Sequence, residues 1–108
     1  MNDLPECRVP RLRKRAGRCY ELSFRGILQA HDWVVVHGTC NGPPGVGTIG
    51  HAWLERDGMV FCPSADKSFQ LHEFIRTHSA VGIARYSFAD ACAMVGEFRH
   101  YGPWHIAA

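Results

Sequence analysis

Asp57-Gly58 stands between two strand-forming runs, Thr48 to Arg56 and Met59 to Cys62. A two-residue hairpin loop that matches the twist of its strands needs positive φ at its central positions, and Asp followed by Gly meets that need. The two runs are therefore predicted to be antiparallel neighbours. Asp32 to Thr39 contains Trp33-Val34-Val35-Val36, a β-branched run short enough for a buried strand, and Val81 to Tyr86 reads as another. Between them, Cys40 to Gly47 carries Gly42, Pro43, Pro44, Gly45 and Gly47, which predicts a loop.

Helical spacing occurs in three places. From Ala16 to Ala30 the residues Cys19, Tyr20, Leu22, Phe24, Ile27 and Leu28 recur three and four apart, which predicts a helix starting near Gly17, weakened by Gly26. Pro63 to Lys67 reads as a loop and Ser68 to His78 as a second helix that packs through Phe69, Phe74 and Ile75. Ser87, with Asp90 three residues later, is a variant of the capping box and opens a third helix through about Phe98. The tail Tyr101-Gly102-Pro103-Trp104 is aromatic and turn-forming, and is expected to fold back onto the body. The order helix, strand, hairpin, helix, strand, helix predicts the α+β class: a short antiparallel sheet with an N-terminal helix carrying Cys19 packed on it, and two further helices.

Size and charge narrow the organisation. With 108 residues, 46% hydrophobic and 20% charged, the chain suits one globular domain and not a disordered or fibrous one. Residues 16–108 are expected to form that domain, behind a basic arm at residues 1–15. The cations Arg8, Arg11, Arg13, Lys14, Arg15 and Arg18 are close together without an acid among them, but no aromatic residues interleave for base stacking. Nucleic acid is expected to gain no more than weak contact with this arm. No apolar run approaches the roughly 20 residues of a membrane span, and the N-terminus has no apolar signal-peptide core. The expectation is a cytoplasmic protein without membrane contact.

The chain has 5 Cys and 7 His, and an odd set of thiols without a secretion signal argues against a disulfide framework. A free Cys most often packs as a small apolar residue, so context must single out any with chemistry. Cys19 follows Gly17-Arg18 at the start of the first predicted helix. There the unpaired amides, the helix dipole and the Arg18 cation all favour a thiolate. His51 lies mid-strand in Gly50-His51-Ala52-Trp53, and a strand beside a helix start can bring an imidazole to a thiol and activate it. Cys40, Cys62, His37 and His51 are suitable types for zinc, yet no C-x-x-C spacing supports a metal site, and no cofactor is expected. His72, His78, His100 and His105 read as surface or helix-end residues.

These motifs carry a resemblance. Gly17-x-Cys19 opening a helix, then His51-Ala52-Trp53-Leu54-Glu55 on a strand, then a hairpin back to Val60-Phe61-x-Pro63, resembles the transglutaminase-like branch of the papain-like cysteine hydrolases. The resemblance implies a Cys, His, Asp triad in which Cys19 attacks, His51 carries the proton and the Cys19 amide helps to bind the oxyanion. It places the Asp on the strand after the histidine, where this chain has Cys62. Asp66, four residues later, is the other candidate for the place behind His51. The implied activity is a thiol-dependent hydrolase or acyl transferase, peptidase- or amidase-like, acting on a peptide or protein. The whole chain is also similar to small bacterial and phage proteins with the same Cys, His-Ala-Trp and closing Gly-Pro-Trp pattern. The alternative is a catalytically degenerate papain-like fold serving a phage or mobile element as a binding or inhibitor protein. His37-Gly38-Thr39 separately resembles the nicotinamide-pocket strand of ADP-ribosyltransferases, without the Tyr or Glu expected at a later strand end.

Overall fold

Residues 18–105 are described by a computed structural model, and the expected basic arm at residues 1–15 lies outside them. The chain runs α1 (Cys19–Ile27), β1 (Val34–Asn41), β2 (Thr48–Arg56), β3 (Met59–Cys62), β4 (Lys67–Gln70), α2 (Leu71–His78), β5 (Val81–Tyr86) and α3 (Phe88–Phe98). The strands form one antiparallel sheet in the order β4-β3-β2-β1-β5. The protein is thus of the α+β class, with Cys19 on the N-terminal helix. The β2–β3 turn takes the conformation its dipeptide predicts, with φ of 50° at Asp57 and 78° at Gly58. At the start of α3, the Asp90 amide donates to the Ser87 hydroxyl at 3.1 Å, which satisfies one of the helix's unpaired donors.

Two expectations are corrected. The loop after β1 was expected from Cys40, but β1 continues through Asn41 because Cys40 pairs with Ile49 and Asn41 with Thr48. The Gly42 amide then donates to the Gly47 carbonyl at 2.7 Å and closes a shorter loop. A second difference lies at Ser68, expected in a helix. Lys67–Gln70 instead pairs with β3, setting Phe69 against Val60, and the helix starts only at Leu71. The turn at Asp66, with φ of 56°, sends the chain back along β3. Cross-strand apolar pairing outweighs the local helical spacing there.

Alternation along the strands divides the core into two layers. Val35, Leu54 and Phe61 pack with Ile27 of α1, Ala91 of α3 and Trp104 of the tail. Val36, Trp53, Val60 and Cys62 point the other way and pack with Phe74 of α2. The tail folds back as its composition predicts: Trp104 is buried, meets Tyr86 edge-on at 4.9 Å and donates its indole N–H to the His100 carbonyl at 2.9 Å. Between β1 and β5 the register shifts at His37/Gly38, where any Cβ on Gly38 would strike the Val81 carbonyl. Glycine is required at this close approach of two backbones.

Candidate functional site

The orientation of His51 follows from its neighbours on β2. Gly50 abuts the Tyr20 hydroxyl of α1, and Leu54 packs with Ile27, so the even positions of β2 face α1. His51 and Trp53 therefore face α2. On the adjacent strand Cys62 faces the same way, in the layer of Trp53 and Phe74. His51 Nε2 lies 3.4 Å from Cys62 Sγ, and Cys62 Sγ lies 3.4 Å from Ser64 Oγ. The three side chains form a short polar chain.

This chain lies in the wall of a cavity of about 310 Å³. The β1–β2 end of the sheet contributes Cys40, Asn41, Gly42, Pro43 and Ile49. His51, Cys62, Ser64, Ala65 and Phe69 supply the middle, and Phe74 and His78 of α2 close the other side. The glycine-proline loop thus walls the site, as its position suggests. Burial, and after it the nearby His78, push the His51 imidazole below its ordinary value of 6.5. At neutral pH His51 is therefore uncharged and available to accept a proton.

Cys19 is placed differently. It opens α1 but makes no hydrogen bond to His51 within the described residues; its sulfur is faced by the amides of Ala52, Tyr20 and Cys19 itself. Those amides favour the thiolate. Burial outweighs them, and with a smaller contribution from Cys62 it raises the thiol above its ordinary value. The expected help from Arg18 is absent as well, because its guanidinium is held by Glu21 in hydrogen bonds of 2.8 to 3.0 Å. A lowered thiol was expected at this helix start, and desolvation reverses the sign.

The remaining candidates separate. Asp66 is exposed in the β3–β4 turn, makes no side-chain hydrogen bond among the described residues, and does not line the cavity. His37 lies on the α1 face, away from the cavity, enclosed by Tyr20, Tyr86 and Trp104, with neither ring nitrogen hydrogen-bonded. It is a core residue. Among the described residues no group of three or more His, Cys, Asp or Glu is placed to hold a metal ion.

Sequence reasoning gave Ser64 no part, weighed Cys40 only as a zinc ligand and His78 only as a surface or helix-end residue. His78 ends α2, one of the two places expected for it, but it is not a surface group: its Nε2 is buried without a protein partner and its ring meets Phe74 at 5.0 Å. The four-residue spacing of Phe74 and His78, one turn apart on α2, is the signal that places them on one face. Ser64 follows Cys62 by two residues, and only the turn after β3 reveals that its hydroxyl comes back to the sulfur.

In comparison with known proteins, the chain matches no protein family, no curated sequence and no solved structure. No helix among the described residues is long and apolar enough to cross a membrane.

Proposed function

We propose that the chain is a thiol-dependent hydrolase or acyl transferase whose working pair is His51 and Cys62. The observation that carries this reading is the 3.4 Å contact between His51 Nε2 and Cys62 Sγ in the wall of the cavity. Two ionisable partners in reach of each other, in a concave and largely apolar site, are the minimum for nucleophilic catalysis by sulfur.

His51 Nε2 accepts the Cys62 thiol proton as the sulfur attacks the carbonyl carbon of an ester, thioester or amide, and the carbonyl π pair moves to oxygen. The Ser64 hydroxyl, beside the sulfur, donates to that oxyanion. When the oxyanion collapses, the bond to the leaving group breaks and the His51 imidazolium protonates that group. Water, or an amine in the transferase case, then attacks the thioester while His51 takes its proton; the thiolate leaves and recovers a proton from His51. An imidazole pushed below its usual value supports the base role at neutral pH.

A second reading comes from the motif order. The order that resembles the papain-like hydrolases makes Cys19 the nucleophile and Cys62 the residue behind His51; three amides facing Cys19 favour charge on that sulfur, against the larger opposing effect of its burial. The two readings share a base and differ in the attacking atom.

Hydrolysis of p-nitrophenyl butyrate by the wild type, Cys62→Ser, Cys19→Ser and His51→Gln tests both. The expected result is a loss of at least about a hundredfold in Cys62→Ser and His51→Gln, the usual size of a positioned base's contribution, with activity retained in Cys19→Ser. Loss in Cys19→Ser with retention in Cys62→Ser moves the nucleophile to Cys19. Wild-type turnover no faster than buffer, together with equal alkylation of Cys62 in the wild type and His51→Gln, overturns the enzymatic reading.

A further inference from the structure

The cavity's lining carries information about the group it accepts. Six of the twelve lining residues, Cys40, Pro43, Ile49, Ala65, Phe69 and Phe74, are apolar, and no Lys, Arg, Asp or Glu side chain takes part. A charged ligand group would lose its water there without gaining an ionic partner, and that exchange is strongly unfavourable. An apolar group gains by burial in proportion to the area it removes from water. The volume sets a scale for the part held inside: at about 30 Å³ per heavy atom, comparable to a water molecule's share of liquid, about 310 Å³ matches roughly ten heavy atoms.

We propose that this cavity is a specificity pocket for a neutral, apolar acyl group of medium length, aliphatic or phenylalkyl, whose carbonyl carbon lies at Cys62. The inference rests on the proposed thiol chemistry for the carbonyl end and on the cavity lining for the apolar end. Acyl groups that end in a carboxylate or an ammonium are excluded by the same lining. Acetyl groups are accepted but poorly held, because they leave the wall of Phe69 and Phe74 uncovered.

The test separates the pocket from the chemistry by using ligands that cannot react. Binding of N-methylacetamide, N-methylbutanamide, N-methylhexanamide, N-methyloctanamide and the carboxylate-ended N-methylsuccinamate to the full chain is followed by ligand-detected NMR, beside hydrolysis of the p-nitrophenyl esters of the same acyl groups. Affinity is expected to rise by about fourfold per added methylene until the cavity is filled, with no detectable binding of the succinamate. Ala65→Leu, which adds bulk to the cavity wall, is expected to weaken the octanamide at least tenfold and the acetamide by less; Ile49→Trp gives a second filling variant. Chain-dependent amide binding without ester turnover, with equal alkylation of Cys62 in the wild type and His51→Gln, keeps the pocket and overturns the enzymatic reading. Ester turnover without chain-length dependence in either assay keeps the enzyme and overturns the pocket, as does equal binding of the succinamate.

Discussion

His51 and Cys62 meet on the diagonal between neighbouring strands. The register sets Leu54 opposite Phe61, so its next step sets Cys62 opposite Trp53, and the His51 ring reaches across to Cys62 Sγ at 3.4 Å. Diagonal neighbours on one face of a sheet are within reach of long and aromatic side chains. The pair is therefore fixed by the backbone register rather than by a loop, and the hairpin at Asp57-Gly58, far from it in function, sets that register.

A consequence is testable through the pH dependence of Cys62 alkylation. If His51 takes the thiol proton, the reactive form is lost when His51 is protonated. The His51 value is lowered from 6.5 by burial and then by His78, so the acid limb of the rate is expected below pH 6.5, falling about tenfold per pH unit beneath the imidazole's own value. Iodoacetamide adducts at Cys62, quantified by mass spectrometry from about pH 5 to about pH 8, give the profile. A limb at or above the ordinary imidazole value, or one unchanged in His51→Gln, contradicts the pairing.

Cys19 should behave in the opposite way from what a helix-start thiol suggests. Its sulfur is buried, and desolvation raises its pKa despite three facing amides. In the folded protein at neutral pH it is expected to alkylate more slowly than the half-buried Cys92, and the difference should disappear in urea. Faster labelling of Cys19 than of Cys92 would show that the amides outweigh burial, and would support the reading in which Cys19 attacks.

The sequence carries the architecture more plainly than the site, for physical reasons. Hairpins, caps and β-branched runs are local, and Asp57-Gly58 and the Ser87 to Asp90 pair specify their turn and helix start within four residues. Edge strand β4 was hidden because Phe69, Phe74 and Ile75 also suit a helix, and only the partner strand decides between them. The pair His51 and Cys62 was legible by motif order, although with Cys62 read as a substitute behind the base. Which sulfur meets the imidazole depends on the face of β2 that each element covers. That face is set by Gly50 against Tyr20 and Leu54 against Ile27, contacts between segments far apart in the chain. His78 escaped for the same reason, since it acquires its role only when α2 lies over the sheet.

The cap at Ser87 offers a simple measure of local stability. Its hydroxyl accepts from the Asp90 amide at 3.1 Å, and α3 contributes the buried Ala91 to the α1-side layer. Ser87→Ala is expected to destabilise the fold by about 1 kcal/mol, and Ser87→Asp to retain most of the stability. Urea titration followed by far-UV circular dichroism reads both. Equal midpoints for the wild type and Ser87→Ala would mean that α3 does not depend on the bond.

His37 gives the fold an acid-sensitive point remote from the cavity. Its ring is fully buried and unbonded at both nitrogens, with Tyr20 from α1, Tyr86 from β5, and Trp104 and His105 from the tail around it. Burial, and after it the nearby His105, pushes its value from 6.5 down to about 4. The unfolded chain therefore binds a proton at His37 before the folded chain does, so this group's effect on stability is constant above about pH 6.5, falls as the pH drops toward 4, and is flat below that. Over that window the loss is on the order of 3 kcal/mol, a large part of a small domain's stability. His37→Phe keeps a planar ring and sacrifices no hydrogen bond; His37→Leu serves if the larger ring is too tight against Gly102. His51 loses stability in the same direction, so the informative quantity is the difference between wild type and variant, in which the His51 and carboxylate contributions cancel. The wild type is expected to lose about 3 kcal/mol more than the variant between pH 7 and pH 4 by urea unfolding, and an equal loss in both would place the acid sensitivity elsewhere.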